Sequence, residues 1–316
     1  MDFTGVICIE SPPFYKNPTC YFIMAAPAAF SNGEKELKKY EDRFKPRPSV
    51  ERRYRAAIRK IMQGLRERLK GAGSPFQMLQ ILRGFARSPT FNHEAREAAK
   101  AMVTHLFYDG ASDWREAARH GSRGRMIYET LRKEKARRND FDPIIEQNAR
   151  YITSMASGVA DKVSKDMARG YMEGKRPEEL MRDVLKRWPE LTEWHARLIA
   201  RTETSKASTA LTRVRAEGAG LDWYVWRTSE DARVRTSHHH MDGVICSWSD
   251  PPSPEKLVHQ KDRGRYNPGE IFNCRCYPEV LLEYGDVSWP HKVYHNGRIQ
   301  SMTLAAFKRL NGGRDL

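Results

Sequence analysis

The chain has 316 residues, 40% of them hydrophobic, so it can bury a sizeable core, and its length suggests about two domains. A formal net charge of +15 favours nucleic acid or another anionic partner, with solubility alone as the alternative. The five cysteines are odd in number and scattered, which excludes a disulfide framework and indicates a reducing, cytosolic origin.

Residues 1–33 are predicted to form an extended, apolar and Pro-rich arm. The first thirty residues contain a single basic residue, Lys16, and four prolines. A signal peptide needs a positive segment before its apolar core, and none precedes it here. Pro18 and Pro27 interrupt any stretch long enough to span a membrane. We therefore expect no leader and no membrane partner, and Met24 is an alternative natural start.

Residues 34–140 are predicted to form a basic helical region. From residue 35 to 70, fourteen basic residues stand against five acids. Apolar residues recur there at steps of three and four between positions 54 and 69. This spacing predicts an amphipathic helix with a basic outer face, preceded by Pro48 and ended by Gly71.

The rest of this region is predicted to be less regular. Asp109-Gly110 indicates a turn, and the basic stretch 115–138, interrupted by Gly121 and Gly124, favours an exposed, mobile loop over one long helix. Basic side chains on the helix and on this loop would contact phosphates without reading sequence. The candidate nucleic-acid contacts are Arg52, Arg53, Arg59, Lys60, Arg123, Arg125, Arg137 and Arg138.

Residues 141–283 are predicted to form the main C-terminal domain, with helices over 142–218 and a strand and loop region over 222–283. Asp142-Pro143 is a strong helix start. The first helix should run to about residue 173, a second should end at Pro189, and a third should run from 191 to 217. Short connections predict antiparallel packing of the three.

The strand and loop region gathers residues that bind metals. Asp242-Gly243 indicates a turn with His238 and Cys246 on its two flanks. Cys274-Arg275-Cys276 predicts a short strand with both sulfurs on one face. A structural zinc site needs four N or S ligands, and one set of that chemistry is His238, Cys246, Cys274 and Cys276.

Other interpretations of these residues stay open at the level of sequence. His239, His240, Asp242 and His259 are substitute ligands. The two cysteines of the CxC pair are equally well explained as small buried hydrophobic side chains, because free Cys is among the most buried residue types. Redox chemistry is a third interpretation.

Residues 284–316 are predicted to form a C-terminal hairpin, with Asn296-Gly297 as its two-residue loop, and a short helix from Thr303 to Leu310. The fold class predicted for the chain is therefore mainly α with a small α+β C-terminal domain. Long antiparallel helices should be followed by a short-stranded β region that contains the Cys and His residues.

The motifs over about residues 150 to 282 resemble one known family. These are Arg201-Thr202-Glu203, the Trp-x-Thr-Ser-x-Asp-x-Arg-Val-Arg-x-Ser-His run over 226–238, Met241-Asp242-Gly243 and Asn273-Cys274-Arg275-Cys276. In this order they are similar to the Mu F-like head-morphogenesis domain of tailed bacteriophages. The family signature residues are Arg201, Glu203, Trp226, Asp231, Arg233, Arg235, His238, Asp242 and Gly243.

The resemblance implies a non-catalytic minor head (capsid) protein that acts in head morphogenesis. The implied partners are the phage portal protein, the scaffolding or major capsid protein and double-stranded DNA bound non-specifically. The implied location is the virion, inside the capsid near the portal, after assembly in the host cytoplasm. It further implies that Arg201 and Glu203 tie their helix to the strand region. The chain also lacks a P-loop, a nucleophile elbow and a dinucleotide fingerprint.

The alternative function is a metal-dependent nuclease of the His-Asn-His type. A neutral histidine, His238 or His239, would activate water there, while Asp242 and His259 hold a divalent ion. The spacing of Asn and His is irregular, and the closing CxC fits the head-protein motif better. A sequence-specific DNA-binding protein ranks lower, because the chain has no recognition-helix motif.

Overall fold

A computed structural model describes residues 44–120, 123–134, 141–313 and 316. The chain folds as nine helices and five strands within these ranges. The helices are α1 (Pro48–Lys70), α2 (Pro75–Ala86), α3 (Pro89–His120), α4 (Gly124–Glu134), α5 (Asp142–Met172), α6 (Pro177–Gly218), α7 (Thr236–Met241), α8 (Pro254–Leu257) and α9 (Leu304–Leu310). The strands are β1 (Trp223–Arg227), β2 (Ile245–Ser247), β3 (Tyr277–Val280), β4 (His291–His295) and β5 (Arg298–Met302).

A helical core joins α1, α2, α3, α5 and α6. The apolar stripe predicted for the first helix is buried, with Tyr54, Ile58, Leu65 and Leu69 at most 2% exposed. These side chains belong to the same buried cluster as Ile152 and its neighbours on α5. The amphipathic helix is confirmed, and its basic side chains are left on the outer face.

The five strands form one mixed sheet in the order β3-β1-β2-β4-β5. Strand β1 pairs antiparallel with β2 and β3, β2 pairs parallel with β4, and β4 pairs antiparallel with β5. The predicted hairpin is confirmed: Asn296 and Gly297 both have positive φ, 50° and 79°, as a two-residue loop of this kind requires. The fold class predicted from the sequence, helices followed by a small sheet, is also confirmed.

The prediction of three helices over 142–218 was wrong. Helix α6 runs without interruption through Pro189. Proline has no N–H, so the carbonyl of Leu185, four residues before it, loses its normal partner. Nη2 of Arg66 on α1 donates to that carbonyl at 3.3 Å. A side chain from another helix thus supplies the hydrogen bond that the proline removes.

The basic loop and the turn predicted between Asp109 and Arg138 were also wrong where the structure describes this stretch. Residues 109 and 110 lie inside α3, and α4 follows after residue 123. A Cβ at Gly110 would lie 2.6 Å from Nη1 of Arg215. The glycine therefore allows the close approach of a buried guanidinium and does not mark a turn.

The CxC segment is not a strand. Cys274, Arg275 and Cys276 precede β3, which begins at Tyr277. His238 lies in the short helix α7 and not beside a simple hairpin turn. Within the described ranges, no helix combines the length and the apolar character that crossing a membrane needs.

Candidate metal centre

Three side chains with metal-binding atoms meet beneath α7. Nδ1 of His238 lies 3.3 Å from Sγ of Cys276 and 3.5 Å from Sγ of Cys274. All three side chains are buried at 2% exposure. Their ligand atoms lie within 4.8 Å of one another, so this group could hold a metal ion. The fold thus brings together three of the four candidate zinc ligands.

The other ring nitrogen of His238 is held by a buried polar chain. Nε2 lies 3.0 Å from the hydroxyl of Tyr266, and that hydroxyl donates to Glu255 at 2.8 Å. Ser237 also donates to Glu255, at 3.2 Å. Because the single proton of Tyr266 goes to the carboxylate, its oxygen must accept from His238, so Nε2 carries the proton. In the neutral ring, the lone pair is therefore on Nδ1 and faces the sulfurs.

The two sulfurs behave differently. The pKa of Cys274 is lowered, chiefly because Cys276 donates a hydrogen bond to its sulfur, and further by the positive charge and the Nδ1–H of His238 when its ring is protonated, against the effect of burial. The pKa of Cys276 is raised by the same hydrogen bond and by burial. The shifts run in opposite directions because each sulfur acts on the ionisation of the other.

Cys246, the fourth candidate ligand, is not part of this group. It lies on β2 opposite Tyr224, and its sulfur donates to the carbonyl of Val244 at 3.7 Å. Burial raises the pKa of this thiol, which favours its neutral form. Cys246 is therefore a packed thiol, and its prediction as the fourth ligand of the group was wrong.

The substitute ligands also lie outside the group. His239, His240 and His259 are exposed. Asp242 accepts from the backbone N–H of Thr228 at 2.8 Å.

Trp226 lies next to the centre. It is fully buried on β1, and its ring meets the His238 ring edge-on at 5.5 Å between centroids. Its backbone N–H donates to the carbonyl of Val244 and its carbonyl accepts from the N–H of Gly243, both at 2.9 Å. Gly243 adopts a φ of +74°, which favours glycine. The strand, the turn and the helix that carries His238 are thus fixed to one another.

The charged signature residues form contacts that join loops. The carboxylate of Asp231 accepts from the backbone of Arg233 at 2.9 Å and from Arg275 at 2.6 Å. These contacts hold the pKa of Asp231 below its usual value although burial opposes the shift. Arg235 donates to the carbonyl of Phe272 at 3.0 Å, with its guanidinium over that ring.

Arg201 and its neighbour link α6 to the loop before β3. Nη1 of Arg201 donates to Oδ1 of Asn273 at 3.0 Å, and the backbone N–H of Asn273 donates to the Thr202 hydroxyl at 2.8 Å. Asn273 has a φ of +55°, which these contacts hold. Glu203 is buried and pairs with Lys206 on its own helix at 3.2 Å. The tie to the strand region therefore runs through Arg201 and Thr202.

Sequence reasoning missed Tyr266, Glu255 and Asn273 as members of this arrangement. Tyr266 and Glu255 come from the Pro-rich and basic segment 251–266 between β2 and β3 (the insert), whose composition is typical of an exposed loop. Nothing in their spacing indicates that both are directed at His238. Asn273 could have been found, because it precedes the CxC pair within a motif that the sequence already singled out.

The candidate nucleic-acid residues are mostly on the surface. Arg52, Arg53 and Lys60 are exposed on α1, and in the described part of the chain none of the three forms an ion pair. Arg59 is paired with Glu193. Arg125 is 92% exposed and pairs with Glu129, and Arg123 donates to the carbonyl of Leu316. Arg137 and Arg138 lie outside the described residues.

Two clefts elsewhere lack a catalytic arrangement. A cavity of about 310 Å³ lies between α5 and α6, where Asp166 pairs with Arg187 at 3.1 Å. A cleft of about 640 Å³ beside β2 and β4 contains Lys256, which pairs with Asp262 at 2.9 Å. Neither is lined by the His238 centre.

Part of the chain is similar to known proteins. Residues 161–278 match the family described as phage Mu protein F like protein. A Haemophilus influenzae protein described as uncharacterized is 35% identical over 136 residues, which are 43% of this chain and 28% of that protein. The chain thus spans little more than a quarter of that relative's length. No solved structure matches the chain.

Proposed function

We propose that this chain, which carries a phage Mu protein F-like region at residues 161–278, is a minor head protein of a tailed bacteriophage and acts in head morphogenesis. The observation that carries the proposal is that the matched region contains all nine signature residues, several of which hold one segment of the domain against another. The domain organisation belongs to the same proposal: an arm over 1–33, which lies outside the described residues, a basic helical region over 34–140, the head-morphogenesis domain over 141–283, and a C-terminal hairpin and short helix over 284–316.

The contacts of the signature residues support a non-catalytic role. Arg201 binds the loop before β3, Asp231 binds Arg275, and Asp242 caps the turn at Thr228. Each of these groups is used to hold one segment against another. A catalytic carboxylate or guanidinium would instead be directed into a cleft that a substrate could enter.

The nuclease alternative receives no support from the geometry. His238 is 2% exposed, and both of its nitrogens face buried partners. A general base must reach the water that it activates. The exposed His239 and His259 are not grouped with Asp242 as metal ligands among the described residues.

One structural zinc ion is part of the proposal. His238, Cys274 and Cys276 are the side chains whose atoms are close enough together to hold it. Nitrogen and sulfur ligands in a buried position are typical of structural zinc sites. The ion would fix α7 to the segment before β3 and so rigidify the small domain.

The proposed partners are the portal protein and the scaffolding or major capsid protein, with the chain inside the head near the portal. The test is to assemble heads from the phage's own portal, scaffolding and major capsid proteins with this chain present. We expect the chain to sediment with the heads in few copies, and to be lost from heads assembled without the portal protein. A chain that stays in the soluble fraction while normal heads form would contradict the proposal.

The basic face of α1 is proposed to contact packaged DNA. Affinity for two unrelated duplexes should be similar, and its logarithm should fall linearly with the logarithm of salt concentration, because each neutralised phosphate releases counterions. Replacing Arg52, Arg53 and Lys60 with glutamine should lower the slope by about 0.9 for each lost phosphate contact. Fluorescence anisotropy at several salt concentrations measures this slope.

A single-site comparison controls for net charge. Lys60→Gln should reduce affinity more than Arg59→Gln, because Arg59 is already paired with Glu193. Binding that is insensitive to salt or strongly dependent on sequence would refute the DNA contact. The same protein incubated with supercoiled plasmid and magnesium should leave the plasmid intact. Magnesium-dependent nicking abolished by His238→Ala would support the nuclease instead.

A further inference from the structure

We infer that zinc is bound through Nδ1 of His238 and the sulfurs of Cys274 and Cys276, and that Tyr266 and Glu255 are the residues that orient His238 for it. This inference rests on the proposed structural zinc and goes beyond it in naming the ligand atoms and the orienting pair. It excludes Cys246 from the site.

The distances fit a tetrahedral ion. Zinc bonds of about 2.3 Å to sulfur and about 2.0–2.1 Å to nitrogen place a nitrogen and a sulfur ligand about 3.5 Å apart at the tetrahedral angle. Nδ1 of His238 lies 3.3 Å from the sulfur of Cys276 and 3.5 Å from that of Cys274. Both nitrogen-to-sulfur distances therefore fit one shared ion, and the three atoms fill three of its four tetrahedral positions.

The charge of the site also favours a dication. All three ligands are buried at 2% exposure, where an uncompensated charge is costly. Two thiolates with one Zn²⁺ and a neutral imidazole give a net charge of zero. Zinc binds cysteines as thiolates, so the buried site gains two strong bonds to sulfur without a residual charge.

Tyr266 and Glu255 decide which nitrogen of His238 is free. The Tyr266 hydroxyl donates to both oxygens of Glu255 at 2.8 Å, so it accepts from Nε2 of His238 at 3.0 Å. Metal-bound histidines commonly donate their second ring N–H to a carboxylate, a backbone carbonyl or a water molecule, and these partners are themselves hydrogen-bonded. The arrangement here has that form, with a tyrosine between the histidine and the carboxylate.

Glu255 has a function in this arrangement that packing alone does not explain. It is a carboxylate at 2% exposure whose hydrogen bonds come from Tyr266 and Ser237. Ser237 precedes His238 in α7, whereas Tyr266 and Glu255 belong to the insert. The carboxylate therefore fixes the histidine ring and the helix that carries it at the same time.

The test uses the full chain with zinc and cobalt as probes. Elemental analysis should give roughly one zinc per chain. Cobalt added to the metal-free protein should produce a sulfur-to-cobalt charge-transfer absorption, which Cys276→Ser should abolish. Cys246→Ser is the matched control, because it removes an equally buried thiol, and it should leave metal content and absorption unchanged.

Tyr266→Phe tests the orienting pair, since it keeps the ring and removes only the hydroxyl. Its zinc affinity, measured by competition with a chromophoric chelator, should fall by about 10–100-fold. The zinc affinity of Glu255→Gln should fall by a similar factor. Circular dichroism of each variant establishes that it is folded before its affinity is compared.

The outcomes separate the claims. A wild-type protein that binds neither zinc nor cobalt overturns both the structural zinc and this inference. Bound zinc that survives Cys276→Ser, or that is lost in Cys246→Ser, overturns the ligand set while the structural zinc stands. Wild-type affinity in Tyr266→Phe overturns the orienting pair. The head-protein function is judged separately, by incorporation into heads.

Discussion

Replacing Arg215 with methionine is expected to lower the free energy of unfolding by about 3–5 kcal/mol. Arg215 lies on α6 and is 2% exposed. Its Nε donates to both oxygens of Glu134 on α4, at 3.0 and 2.9 Å, and its Nη2 donates to the carbonyl of Phe107 on α3 at 3.0 Å. One guanidinium thus joins three helices.

The loss of stability is large because Glu134 would stay buried without a partner for its charge. Burial raises the pKa of Glu134 and lowers that of Arg215. Desolvation therefore offsets part of the stabilisation that each residue gains from the ion pair. A buried ion pair adds little net stability, whereas a single buried charge is strongly destabilising. The predicted loss of stability comes from leaving Glu134 buried without a partner. It does not measure how much the intact ion pair contributes to stability.

The variant should also show a specific pH dependence. Without its partner, Glu134 would have a folded-state pKa raised by burial. Stability linked to its protonated form is then fully present below the ordinary pKa of glutamate, about 4.3, and is lost as the pH rises through the raised value. The deficit of Arg215→Met relative to wild type should therefore be smaller at about pH 4 than at about pH 8.

Urea denaturation followed by circular dichroism measures these differences. Arg213→Met is the matched control, because Arg213 pairs with Glu217 on the exposed side of α6 at 2.7 Å, and it should change stability by less than about 0.5 kcal/mol. Adding Glu134→Leu to Arg215→Met should recover most of the loss. Equal effects of the two single substitutions would refute the structural role of the buried pair.

The helical part of the fold shows which signals a sequence carries locally. The stripe from Tyr54 to Leu69 predicts α1 because its period is a property of one segment. Pro189 gives the wrong helix boundary for the opposite reason. The group that satisfies the Leu185 carbonyl is Arg66, on another helix, and no local pattern records a partner so distant in the chain.

In the candidate site, too, some residues could be predicted from local motifs, whereas the position of others depends on distant parts of the chain. His238, Cys274 and Cys276 could be predicted because few residue types bind zinc and these three occur in short motifs. Cys246 is also of a residue type that binds zinc, but it lies on β2 opposite Tyr224, and its sulfur donates a hydrogen bond to the carbonyl of Val244. Only the pairing of β1 with β2 settles where that sulfur lies, and strand pairing is a long-range property.

Replacing Trp226 with alanine is expected to lower the free energy of unfolding by about 3–5 kcal/mol, because it opens a cavity that the surrounding strands cannot fill. Trp226 is fully buried between β2 and β3, and its ring packs edge-on against His238 and within 6.2 Å of Tyr266. Both neighbours belong to the metal centre. If the proposed zinc is bound there, zinc content should fall together with stability.

Trp194→Ala is the control for this substitution, since the Trp194 side chain is 60% exposed and contacts His195 at the surface of α6. Trp194→Ala should lower the free energy of unfolding by less than about 1 kcal/mol and leave zinc content unchanged. The loss of stability in Trp226→Phe should lie between those of Trp226→Ala and Trp194→Ala, because phenylalanine keeps an aromatic ring beside His238. Chemical denaturation and elemental analysis of the same preparations give both quantities. If Trp226→Ala were no more destabilising than Trp194→Ala, the packing of β1 against the His238 helix could not be what holds the small domain together.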